Sequence, residues 1–230
     1  MTAGCAHWPW AEPSEADRAA AAMGRENYPA AVTHYNRALQ NRGDKFDLLL
    51  NRGIALARMG RDEEALADFN RAAGIMPQNQ GRIERERARI LYRLERFRDA
   101  LADIETARQN SDEVLPDLLA LKGKALYQLN RYAQAARAIE QARRYLTPDS
   151  PRGRKLARTH AFALFKAQQY KDARDAYVEG YFNRKREAGR VLTDEDYYWA
   201  GALYDVNLQD EKKDEMWQHL SRQFRQRKGI

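Results

Sequence analysis

Small and large apolar residues recur along the chain at helical offsets, most clearly from Phe46 onward. With Phe46 as position 1, Leu49, Gly53, Leu56, Ala65, Phe69, Ala72 and Pro77 fall at positions 4, 8, 11, 20, 24, 27 and 32. Spacings of three and four within each half predict two amphipathic helices joined by a short turn. The small residues at 8 and 20 let the two helices approach closely, the large ones at 11 and 24 fill the gap between them, and proline stops the second helix.

The register repeats. Ala31, Tyr35 and Ala38 follow it upstream. Downstream come Ala88, Leu91, Phe97, Ala100 and Ile104, then Leu119, Gly123, Leu126, Ala135 and Ile139, then Ala157, Ala161, Leu164, Ala173 and Tyr177. The position-20 alanines (31, 65, 100, 135 and 173) step by 34, 35, 35 and 38 residues. This pattern resembles the tetratricopeptide repeat (TPR), a 34-residue helix hairpin. The resemblance implies an all-α fold, a right-handed α-solenoid of TPR helix hairpins with a continuous core. Five repeats are expected near 12–45, 46–79, 81–114, 116–149 and 154–187, preceded by a flexible N-terminal tether at 1–11. Pro148 and Pro151 bracket a break before the fifth repeat and account for its longer step. After Gly180 the register loosens through a basic, turn-rich stretch. Tyr197, Gly201 and Tyr204, then Met216, Trp217, Leu220 and Phe224, form a degenerate sixth or capping unit over 194–228, in which Lys213 replaces the small residue at position 20. Thr193 reads as its N-cap, with acids in the first turn. Asp62 and Glu63 read as N-cap and first-turn charges of the second repeat's second helix.

Composition narrows the function. The chain has 230 residues, with 40 Lys+Arg against 33 Asp+Glu and a formal net charge of +7. It contains no apolar run of about 18 residues, the length a membrane-spanning helix needs. One cysteine excludes an internal disulfide framework and a multi-cysteine zinc site, and the four histidines lie far apart. There is no phosphate-binding glycine loop, no His-Glu-x-x-His and no nucleophile beside a local base, so neither enzyme activity nor a metal or cofactor is expected. Positive charge without a recognised reading module is a weak footprint for nucleic acid, which is therefore not the expected partner.

Thr2-Ala3-Gly4-Cys5 resembles a bacterial lipoprotein lipobox, which implies lipidation at Cys5 and residence on the periplasmic face of the outer membrane. The charged and apolar leader regions that usually precede a lipobox are missing. Trp8 and Trp10 beside it read either as an interfacial pair or as a lid on the first hairpin. TPR lipoproteins of this size resemble pilotins and partners of exopolysaccharide export, so assistance to envelope assembly or secretion is one expectation. A cytosolic TPR adaptor or chaperone for an acidic peptide is the alternative.

In TPR proteins the first helix of each hairpin lines a concave groove. By that resemblance the lining comprises Ala16, Ala20, Leu50, Ile54 and Arg58, then Arg82, Arg85, Arg89, Tyr92 and Arg93. Lys124 and Tyr127 follow, then Lys155, Arg158, Phe162, Phe165 and Lys166, and finally Tyr198 and Trp199. Its middle is expected to be basic with interleaved aromatics. Clustered cations in a concavity attract an acidic protein or peptide; equally, Arg82 to Arg93 form a solvated face paired with Glu84, Glu86 and Glu95. The carboxylate clamp of heat-shock co-chaperones is absent, because Ala16, Ala20 and Glu86 stand where it needs polar or basic residues.

Overall fold

The computed structural model describes residues 12–76, 80–110, 116–207, 209–220 and 222–229. Regular structure among them is helical throughout. The chain forms two compact units, Met1–Asp112 and Glu113–Ile230. In the first, α1 (Glu15–Gly24) packs on α2 (Tyr28–Arg42), α3 (Phe46–Arg58) on α4 (Asp62–Ile75), and α5 (Gln80–Arg93) on α6 (Phe97–Gln109). In the second, α7 (Pro116–Gln128) packs on α8 (Tyr132–Arg143) and α9 (Pro151–Lys166) on α10 (Tyr170–Tyr177). A π-helical turn, Val178–Phe182, leads into α11 (Asn183–Glu187). Then α12 (Asp194–Asp205) packs on α13 (Asp210–Gln218), and α14 (Arg222–Lys228) follows.

The expected small-against-large packing organises the hairpins. All five position-20 alanines are fully buried. At position 8, a Cβ on Gly53 would lie 2.7 Å from the Phe69 ring, one on Gly123 2.3 Å from Ile139, and one on Gly201 2.2 Å from Trp217. Each glycine therefore faces the large position-24 residue of its own hairpin. Burying a side chain such as Phe69 contributes about 2–3 kcal/mol. In the sixth unit Lys213 stands where an alanine belongs. Its ammonium reaches Asp205 at 3.1 Å and lies 5.6 Å from the Trp217 indole.

The turn inside each hairpin also repeats. Position 15 is left-handed in all five repeats: Glu26, Gly60, Glu95, Asn130 and Gln168, with φ between 55° and 75°. The next residue donates its N–H to the carbonyl five residues back, as Arg61 to Leu56 (2.9 Å) and Arg96 to Leu91 (2.8 Å). This satisfies carbonyls orphaned at the helix end and turns the chain back on itself.

Pro151 closes the break that Pro148 lies in, and opens α9 at its first position behind the N-cap Ser150; a missing N–H costs nothing there. One local expectation changes. Asp62 is a first-turn acid of α4 and not its cap, since Arg61 occupies that position, without a side-chain capping bond to the helix backbone. Thr193 does cap α12, in a reciprocal capping box with Asp196.

Candidate functional site

Four arginines of α5 follow one another at spacings of 3, 4 and 4 residues, which places them on one helix face. Their charges meet different fates. Arg93 is held by Asp62 from α4, through Nε at 3.0 Å and through Nη2, and also donates to the Ala57 carbonyl at 3.3 Å. The bond to Asp62 raises its pKa. Arg89 pairs with Glu86 at 3.0 Å. Arg85 is half-buried and its Nε has no hydrogen-bond partner among the described residues. Arg82 is exposed and unpaired among them. Half of the stripe is thus neutralised within the first unit, and the remaining positive charge sits at its start.

In the second unit Lys124 of α7 is half-buried near Lys155 and Arg152 of α9. Burial first, then repulsion by Lys155 and Arg152, push its ammonium pKa down, and only Asp117 opposes the shift. Asp117 is itself engaged by Arg152. Three cations therefore gather around one carboxylate. Arg158 lies 5.4 Å from the Phe162 ring and 5.6 Å from Tyr181, with its Nε buried and unbonded. Lys155 and Lys166 are exposed.

The aromatic residues are engaged in packing. Tyr92 meets Phe97 edge-on at 5.4 Å, Tyr127 meets Tyr132 at 5.2 Å, and Phe165 meets Tyr170 at 5.5 Å. These pairs join positions 12 and 17 of three hairpins and clamp the turn between them. Phe162 packs between Tyr177 and Trp199. Leu50, expected in the groove, is fully buried in an apolar cluster with Ile83 and Ile90, because α5 packs over α3.

The tetratricopeptide repeat profile matches residues 17–80 and 85–151, more than half of the chain. The chain belongs to the tetratricopeptide repeat family. TPR proteins bind protein or peptide partners, and the TPR fold is typically a non-enzymatic interaction scaffold. Solved structures agree on the fold. YrrB, a TPR protein with an unusual peptide-binding site, is 17% identical at a TM-score of 0.65, over 79% of this chain and 88% of its own. MamA from Desulfovibrio magneticus RS-1 is 17% identical at 0.67, over 75% and 94%. PilF from Pseudomonas aeruginosa is 19% identical at 0.63, over 86% and 85%. No curated protein matches the sequence.

The TPR register also explains polar pairs that the apolar pattern hides. Positions 7 and 23 carry Arg52 and Asp68 in the second repeat, and Arg87 and Asp103 in the third. Arg52 grips Asp68 through two bonds of 2.6 and 2.7 Å and reaches Asn36 at 2.7 Å. Arg87 lies 3.1 Å from Asp103, whose carboxyl burial holds above the usual range despite that cation. The equal spacing of 16 residues was the available signal. In the basic stretch after Gly180, Asp196 gathers Lys185 at 2.6 Å, Tyr181 at 2.8 Å and the Thr193 N–H at 2.8 Å. Burial alone would raise its pKa; the bonds from Lys185, Thr193 and Tyr181 outweigh it and hold it low. Lys185 is thereby a structural cation. Cys5, Trp8 and Trp10 lie outside the described residues.

Proposed function

We propose that this TPR protein is a non-enzymatic scaffold that holds an acidic protein or peptide partner on the cations of α7 and α9 in its second unit. The observation that carries the reading is Lys124, half-buried and repelled by Lys155 and Arg152, with a single opposing carboxylate, Asp117, that Arg152 already engages. A desolvated ammonium repelled by its neighbours is stabilised by any carboxylate that approaches, and guanidiniums bind carboxylates in two-point geometry. Arg82 and Arg85 give the first unit a second, smaller docking point of the same sign. In an NMR titration with a blocked Glu/Asp-rich peptide, amide signals around Lys124, Arg152 and Lys155 should shift first. Shifts confined to neutral surfaces would remove these cations from the site.

We further propose that the scaffold works as a lipid-anchored bacterial envelope protein assisting assembly or export of a pilus, secretion or exopolysaccharide system. Thr2-Ala3-Gly4-Cys5 supports this, because small residues before a cysteine suit lipobox processing. The native protein should then sediment with membranes and its Cys5→Ala form should not. Equal solubility of both forms would favour a cytosolic adaptor holding the same acidic partner.

A further inference from the structure

The second unit contains a cavity of about 550 Å³ between α8, α9 and α10, away from the cations described above. Its buried lining is Ala136, His160 and Leu164, with the half-buried Arg143 beside them. Arg143 donates to His160 Nδ1 at 3.0 Å. Among the described residues it holds no carboxylate, and Glu140, one turn earlier, bonds Arg144 instead. A guanidinium has five N–H donors, and a neutral imidazole occupies only one of them here. Since Nδ1 accepts, the ring proton of His160 sits on Nε2, which has no partner among the described residues although the residue is 8% exposed. The inner wall thus offers hydrogen-bond donors and a positive charge.

The rim has the opposite character. Glu140, Asp172 and Asp175 stand exposed around the opening, joined by Arg137 and Gln169; Glu140 is engaged by Arg144, and Asp175 accepts through one oxygen from Arg174 at 2.8 Å. Asp172 forms no ion pair among the described residues. A simple anion would meet an acidic mouth, and a simple cation would meet Arg143 at the base. A ligand carrying both charges meets a partner at each depth. The volume also suits it, since small-ligand pockets span roughly 300–1,000 Å³.

We propose that this cavity binds a zwitterion, its carboxylate on Arg143 and the His160 Nε2–H and its ammonium or guanidinium on Asp172, with Asp175 beside it as a carboxylate shared with Arg174. The ligand is an amino acid or a peptide segment that places a carboxylate beside a basic group. The Arg143 guanidinium and the His160 ring N–H fix the carboxylate and the rim acids fix the cation, so both charges are required for tight binding.

The test uses the whole chain and follows the His160 imidazole by NMR, assigned with a His160→Gln variant. The probes are free L-lysine, the blocked tripeptide acetyl-Lys-Glu-Lys-amide, and acetate. Saturable movement of the His160 signal by lysine identifies a free amino acid as the source, and movement by the tripeptide identifies a peptide segment. The His160 pKa, held down to about 4 by burial and then by Arg143, with Glu140 and Asp172 opposing, should rise when the carboxylate arrives. Arg143→Gln should weaken binding by about tenfold or more, the loss expected for a charge-assisted bond. Asp172→Asn with Asp175→Asn, both at exposed positions that leave the fold intact, should bring lysine down to the affinity of acetate. No saturable movement through the millimolar range would overturn the proposal. So would acetate binding as tightly as the zwitterions, or a double Asp variant that binds like the parent.

Discussion

Gly123 and Ile139 touch so closely that a Cβ on Gly123 would lie 2.3 Å from Ile139 Cγ1 and 3.2 Å from the Ala135 carbonyl. The contact sets the separation of α7 and α8. Gly123→Ala should therefore destabilise by about 1–3 kcal/mol through overpacking. Much of that loss should disappear when Ile139→Ala is already present, giving a non-additive cycle. Gly74→Ala, in α4 with nothing within 4 Å of its Cβ, should instead stabilise by about 0.5–1 kcal/mol. Thermal melts of the parent and these four variants, the double among them, check both signs.

The left-handed turn residue offers a second comparison. Glu95 (φ 58°) and Gln168 (φ 61°) occupy the conformation that Gly60 takes at no steric cost. Glu95→Gly and Gln168→Gly should each raise stability by about 1 kcal/mol, and Gly60→Ala should lower it by a similar amount. Denaturant unfolding measures these differences. An unchanged midpoint in all three would show that the turn tolerates either residue.

Asp68 is 2% exposed and receives two bonds from the Arg52 guanidinium, whose third goes to Asn36. Removing it leaves a largely buried cation without its carboxylate. Asp68→Ala should cost about 3 kcal/mol, as broken buried pairs do. Glu64→Ala removes the exposed partner of Arg61 and should leave the melt unchanged, because solvent screens that pair.

His160 makes stability depend on pH. Its pKa is lowered from 6.5 to about 4, first by burial and then by Arg143. Between those values the unfolded chain binds the proton and the folded chain does not. Stability should therefore fall as pH drops from 6.5 to about 4 and level off below that. The contribution lost is about 3 kcal/mol. A His160→Gln variant keeps an acceptor for Arg143 and should lose less stability across this window than the parent. Parallel pH profiles for the two proteins would contradict a neutral, buried His160.

Much of the fold was legible because the period of about 34 residues lies in the apolar residues, and the alanines at position 20 and glycines at position 8 mark helix crossings directly. The polar structure was less legible. Arg93 finds Asp62 across 31 residues, a pairing that spacing within α5 cannot suggest. Tyr92 and Tyr127 sit at groove positions in the pattern, but edge contacts with Phe97 and Tyr132 occupy their rings. The cavity at His160 depends on the relative placement of three helices, and an isolated histidine in a repeat gives no sign of it.

Electrostatic capture of an acidic partner is best tested by the salt dependence of binding. Fluorescence anisotropy of a labelled Glu/Asp-rich peptide should be recorded for the parent, Lys155→Glu and Arg82→Glu across rising salt. Both substituted residues are exposed, so their melts should match the parent. The account predicts tight binding at low salt that weakens steadily as the screening length contracts below about 10 Å, and a clear loss of affinity for Lys155→Glu at every salt concentration. Binding that ignores salt and survives both reversals would contradict it.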